Sequence, residues 1–127
     1  MFRQVLFVLV CLFAWTGLVA QPEISADRLK KKMESTSGYV LLDVRTPEEV
    51  REERIEGAEN IDVKADDFAS RIATLDKDKT YYVYCGSGIR SGQASRIMID
   101  SGFTSVYSLT GGIKAWKQKK LPVKKGK

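Results

Sequence analysis

Apolar positions along the chain follow two alternating spacings. Tyr39 to Val44 and Thr80 to Tyr84 are runs of apolar, aromatic or β-branched residues interrupted only by Asp43, the composition of strands buried on both faces. Elsewhere the spacing is helical, as in Leu29 and Met33, then Phe68, Ile72 and Leu75, then Ala94, Ile97 and Met98. Ser25 is placed to cap the first helix. Thr46-Pro47-Glu48-Glu49 is a stronger helix start: Thr46 caps, Pro47 is preorganised for the first turn, and Glu49 closes a capping box. That helix is expected to end near Glu53 or Arg54, with Gly57-Ala58 leading to a brief extended piece at Asn60 to Val63. Asp66 to Leu75 reads as a helix and Asp76 to Lys79 as a polar turn. After the helix containing Met98, Ser101-Gly102 is a stop, Val106 to Leu109 a last strand, and Gly111-Gly112 a turn into a helix with Ala115 and Trp116. The alternation predicts an α/β domain whose central, mostly parallel sheet carries helices on both faces. Reactive groups in such folds gather at the carboxyl ends of strands, where Asp43, Arg45 and Cys85 fall.

The start of the chain breaks this rhythm. Arg3 precedes an unbroken apolar run from Val5 to Trp15, and Thr16 to Ala20 ends in a small residue, Ala20, with a larger Leu18 at the third position back, so residues 1–20 read as a secretory signal peptide cut after Ala20. An uncleaved anchor is the alternative. The domain is then residues 21–127, in a periplasmic or otherwise exported location. Only Arg3 among the charged residues leaves with the leader, so the whole-chain charge of +5 becomes +4. Seven of the last 14 residues, Lys114 to Lys127, are lysines. They read as a solvated helix end and a frayed tail, with weak contact to a membrane surface or steering of an anionic substrate as the functional alternative. Nucleic acid is not an expected partner, because the chain lacks an interleaved aromatic and basic face.

With the leader removed one cysteine, Cys85, remains, and there is no histidine anywhere. That excludes an internal disulfide, Cys-His and Ser-His catalysis, and the usual zinc sites. No metal or cofactor is expected. Cys85 opens the connection Cys85-Gly86-Ser87-Gly88-Ile89-Arg90-Ser91 between a strand and a helix. Two glycines allow a curl that turns backbone N–H groups toward one point. A sulfur at that point, above a helix amino end and beside the Arg90 guanidinium, is favoured as thiolate. Cys85 therefore reads as an activated nucleophile, against the plainer reading of a small core cysteine.

Four motifs now carry a resemblance: Leu41-Leu42-Asp43-Val44-Arg45-Thr46-Pro47-Glu48-Glu49, Ile55-Glu56-Gly57-Ala58-Glu59-Asn60-Ile61, Cys85 to Ser91, and Leu109-Thr110-Gly111-Gly112-Ile113-Lys114-Ala115-Trp116. In this order they resemble the single-domain rhodaneses, and with an export signal the small periplasmic phage-shock type. The resemblance implies a rhodanese-like fold and a sulfurtransferase that takes a sulfane sulfur from thiosulfate or a similar donor. It implies that Cys85 carries the sulfur as a persulfide and passes it to cyanide or a thiol. The N–H groups of Gly86, Ser87, Gly88, Ile89 and Arg90 would stabilise negative charge, Arg90 would bind the anionic donor, and Asp43, Arg45 and Ser91 would support the loop. Many relatives have a histidine where this chain has Arg54, a change that thiolate activation by backbone donors tolerates. Related phosphatases separate cysteine from arginine by five residues; here four intervene, Gly86 to Ile89, which suits a sulfur better than a phosphate. A non-catalytic thiol or persulfide sensor, or a binding module, is the remaining alternative.

Overall fold

The computed structural model describes residues 22–126. The leader read at residues 1–20 lies outside them. Five strands, β1 (Glu23–Ile24), β2 (Val40–Asp43), β4 (Glu59–Asn60), β5 (Thr80–Tyr84) and β6 (Ser105–Leu109), form one parallel sheet in the order β1-β6-β5-β2-β4. Two further strands, β3 (Glu53–Arg54) and β7 (Lys124–Lys125), pair antiparallel beside it. The helices are α1 (Ala26–Ser35), α2 (Pro47–Glu52), α3 (Phe68–Ile72), α4 (Ile89–Asp100) and α5 (Gly112–Gln118).

The two-residue period of β5 divides the core. Tyr81, Val83 and Cys85 face one layer with Phe68, Ile72, Ala94 and Met98, while Tyr82 and Tyr84 face the other with Leu29, Ile113 and Trp116. The expected α/β architecture, with a parallel sheet covered on both sides, is the one observed. Cys85 thus leaves the sheet on the α4 side.

Local expectations hold best where capping chemistry is present. Ser25 accepts from Arg28 N at 3.3 Å, and the Thr46–Glu49 capping box is complete. Helix α3 is shorter than Asp66 to Leu75 because its ends wind into tighter turns, with Thr74 N donating to Arg71 O at 3.2 Å and Leu75 N to Ile72 O at 3.0 Å. Helix α4 buries Ser91, Ala94, Ser95 and Met98, whereas Ile97 is 39% exposed. Small residues, not Ile97, occupy the stripe, which lets α4 lie close against β5 and β6.

The C-terminus is not frayed as far as Gly126. The Trp116 indole, 1% exposed, needs an acceptor for its N–H and finds Pro122 O at 2.9 Å. Lys120, at a φ of 57°, turns the chain back after α5, and β7 then pairs with β3. The Arg54 guanidinium donates to Gly126 O, and Lys117 Nζ lies 2.5 Å from Glu53 Oε1. Arg54 therefore fastens the tail.

Candidate active site

The chain leaves β5 at Tyr84 and enters α4 at Ile89, so residues 85–88 must reverse direction within one turn. Gly88 makes this possible: it precedes α4 at a φ of 106°, a left-handed conformation that glycine adopts without a steric penalty. The curl carries the loop over the strand end. Cys85 Sγ there accepts from Gly88 N at 3.1 Å and from Ser91 N at 3.3 Å, both at the amino end of α4. The Ser91 hydroxyl oxygen lies 3.5 Å from the sulfur and 2.8 Å from Ser108 Oγ. With Cys85 ionised, the Ser91 hydroxyl can turn its proton to the sulfur while Ser108 donates to Ser91.

Cys85 is only 1% exposed and borders the apolar core, yet its sulfur sits among donors. Burial opposes ionisation, but the Ser91 hydroxyl and the N–H groups of Ser91, Gly88 and Ser87 outweigh it and hold the pKa below that of an ordinary thiol. Ser91, expected only in a supporting place, is the main donor. Among the five amides from Gly86 to Arg90, those of Gly88, hydrogen-bonded to the sulfur at 3.1 Å, and of Ser87 favour the thiolate. Ser91→Ala should accordingly shift the pH profile of Cys85 alkylation upward. In the unmodified protein the rate should reach its plateau below the value of about 8.5 typical of a free thiol. Coincident profiles would remove Ser91 from thiolate stabilisation.

The loop is braced from the far side by α5. Ile113 N donates to Cys85 O at 2.9 Å and Lys114 N to Gly86 O at 3.2 Å. Such an approach demands glycine at 112, where a Cβ would stand 2.5 Å from both of those carbonyl oxygens.

Arg90 reaches over the loop, with Nη2 3.3 Å from the position a Cβ on Gly86 would take. Its fork is engaged by Glu49, with Nη1 to Oε1 at 2.7 Å and Nη2 to Oε2 at 3.0 Å. The same Glu49 Oε1 accepts from Thr46 Oγ1 at 3.2 Å and from Thr46 N at 3.4 Å. The Arg90 hydrogen bonds, against a smaller opposing effect of burial, bring the Glu49 carboxyl down to about 2, so the pair is fully charged at neutral pH. An anion arriving at the loop meets a guanidinium already shared with a carboxylate.

Asp43 and Arg45 stand one strand away as a buried pair, 0% and 4% exposed. Arg45 Nη2 lies 2.7 Å from Asp43 Oδ2 and also donates to Glu53 O at 2.7 Å, with its guanidinium 5.6 Å from the centre of the Tyr84 ring. Burial would lower the Arg45 pKa, but the Asp43 hydrogen bonds and charge outweigh it and raise it. This pair ties the end of β2 to β3. A cleft of about 520 Å³ opens between them and the loop, lined by Arg45, Glu49, Glu53, Gly86, Lys114 and Lys117.

The structure thus brings Cys85, Gly86, Ser87, Gly88, Arg90 and Ser91 together at one strand end. Ile89, 72% exposed, projects its side chain away from the core. Three members escaped the sequence reading as site residues. Glu49 was recognised only as a cap, Gly112 only as part of a turn, and Ser108 offered no signal beyond being polar within an apolar strand.

The Rhodanese-like domain family model matches residues 25–119. A sulfurtransferase of Allochromatium vinosum is 33% identical over 101 residues, covering 80% of this chain and 92% of that protein. The Escherichia coli thiosulfate sulfurtransferase PspE is 44% identical over 75 residues, covering 58% of this chain and 69% of that protein. Among solved structures, the solution structure of a rhodanese-like domain from Anabaena superposes with a TM-score of 0.75 at 29% identity, covering 84% of this chain and 80% of that one.

Proposed function

The chain belongs to the rhodanese-like domain family, a membership it shares with named sulfurtransferases, and from that premise we propose that it is an exported thiosulfate sulfurtransferase acting through a Cys85 persulfide. The observation that carries the reading is the Cys85 sulfur itself, held below its ordinary pKa by Gly88 and Ser91 at the carboxyl end of a central parallel strand.

The Cys85 thiolate attacks the outer sulfur of thiosulfate. The bond between the two thiosulfate sulfurs breaks, and sulfite departs with its electron pair. The transferred sulfur remains on Cys85 as a persulfide anion, above the amino end of α4. Cyanide or a thiolate then attacks that outer sulfur and regenerates the Cys85 thiolate. Every step moves one electron pair, so no oxidant, metal or cofactor is required. N–H donors fixed before the reaction stabilise each sulfur-centred anion without reorganising.

Intact-mass measurement after thiosulfate treatment tests the reading: the protein should gain the mass of one sulfur and lose it on adding cyanide. No gain, or a gain that cyanide leaves in place, overturns it. Arg90 gives a second handle. Arg90→Ala should raise the KM for thiosulfate by about tenfold, the loss of one charge-assisted hydrogen-bonding partner. Glu49→Gln, which frees the guanidinium, should lower the KM. An unchanged KM in both variants would make the Arg90–Glu49 pair a purely structural clamp.

A further inference from the structure

Charge is divided unevenly across the fold. Residues 22–38 and 111–126, which build α1, α5 and β7, carry ten Lys and Arg against three Asp and Glu, a net of +7. Residues 39–110 carry nine against thirteen, a net of −4. Helices α1 and α5 lie side by side on one face of the sheet, where Ala26, Leu29, Ile113 and Trp116 are buried together. That packing turns Arg28, Lys31, Lys32, Lys114, Lys119 and Lys120 into solvent, and Lys124 and Lys125 of β7 extend the same basic surface. The lysines of the C-terminus are therefore only part of this face; α1 supplies the rest.

Ion pairing does not account for the excess. Lys30 pairs with Glu34, Lys117 with Glu53, Lys119 with Asp27 and Lys124 with Glu56, but among the described residues Lys31, Lys32, Lys120 and Lys125 have no carboxylate within salt-bridge distance. Like charges gathered on adjacent elements repel one another, and the fold does not offset that cost. Arg28 and Lys32 line one cavity and Lys114 and Lys117 another, so the basic side chains as a set do not converge on a single site as they would for one small anion. They are spread along two helices and a strand, the arrangement that meets a plane of repeated negative groups.

The chain outside the described residues says which plane. The leader segment that ends at Ala20 lies directly before β1 (Glu23–Ile24), and Ser25 alone separates β1 from α1. Read as the uncleaved anchor, the alternative to a cut after Ala20, that segment holds α1 at a lipid surface. We propose that the α1–α5–β7 face docks on a membrane of anionic phospholipid. Lys114 and Lys117 belong both to this face and to the cleft beside Gly86, so a docked molecule opens its Cys85 loop at the edge of the lipid plane.

The test is partitioning of the full chain between buffer and vesicles of phosphatidylcholine, alone or with phosphatidylglycerol. The apolar run contributes to both vesicle types, so the ratio of the two partition coefficients reads the face. That ratio should exceed one and fall as salt is raised. Replacing Lys31, Lys32, Lys120 and Lys125 together by Gln should lower it by about fivefold per lysine. Replacing Lys64, Lys77, Lys79 and Arg96 by Gln removes the same charge from the other layer and should leave most of it. Thermal melts check that both variants fold. A ratio of one in the unmodified chain, an equal loss in the two variants, or no loss in the first would each overturn the proposal. Tighter binding to soluble polyglutamate than to anionic vesicles would assign the face to an acidic macromolecule and overturn it as well.

Discussion

Cys85→Ser is expected to abolish thiosulfate-to-cyanide sulfur transfer while leaving the fold in place. Serine is nearly isosteric, and its hydroxyl can occupy the position from which Sγ accepts from Gly88 N and Ser91 N. The backbone keeps its partners too, with Cys85 O still accepting from Ile113 N. Stability should therefore change by only about 1 kcal/mol, the ordinary size of a single-site effect. Activity behaves differently, because the donors that favour a thiolate cannot bring an alcohol to ionise at neutral pH, and an alkoxide could not carry the sulfur as a persulfide. Removing a covalent nucleophile costs on the order of a thousandfold or more. The variant should also take up no sulfur by intact mass. Retained transfer would mean that the sulfur travels by another route, and the donors around Cys85 would then serve the fold alone.

The sequence made this residue legible because several local rules agree on it. A β-branched and aromatic run stops at Tyr84, two glycines follow, and a helical spacing begins soon after. Each of these is a property of near neighbours. The same holds for the capping box at Thr46 and Glu49, which the structure reproduces bond for bond. What stayed hidden depends on residues far apart in the chain. Glu49 meets Arg90 across 41 positions, and Ser91 meets Ser108 across 17. No spacing rule reports such pairs. The tail differs from its expected course for a related reason: its lysines suggest solvation, but the Trp116 indole N–H, which donates to Pro122 O, and the Arg54 guanidinium, which donates to Gly126 O, decide where it lies. Ile97 shows a third limit, since helical spacing marks a stripe without saying whether the facing strands leave room for a large side chain.

Gly112→Ala should be the most damaging small substitution outside Cys85, and it tests whether α5 holds the catalytic loop. The added methyl would stand 2.5 Å from Cys85 O and Gly86 O and 2.6 Å from Gly86 C. These are backbone atoms, so no side chain can swing aside, and the helix must move away from the loop. Moving it sacrifices the bonds from Ile113 N and Lys114 N and leaves two carbonyls without donors. Alanine must in addition hold a φ of 61°, a strain of about 1 kcal/mol. Together these effects should cost about 2–4 kcal/mol, lowering Tm by roughly 10–20 °C, and should slow persulfide formation by loosening the strand end that aims Sγ at Gly88 and Ser91. Gly57→Ala separates strain from contact, because Gly57 has a φ of 86° but nothing within 4 Å of its added methyl. That variant should lose only the strain and should keep the alkylation profile of Cys85. If the two substitutions proved equally mild, the close approach of α5 would be incidental, and the loop would owe its shape to Gly88 and the amino end of α4 alone.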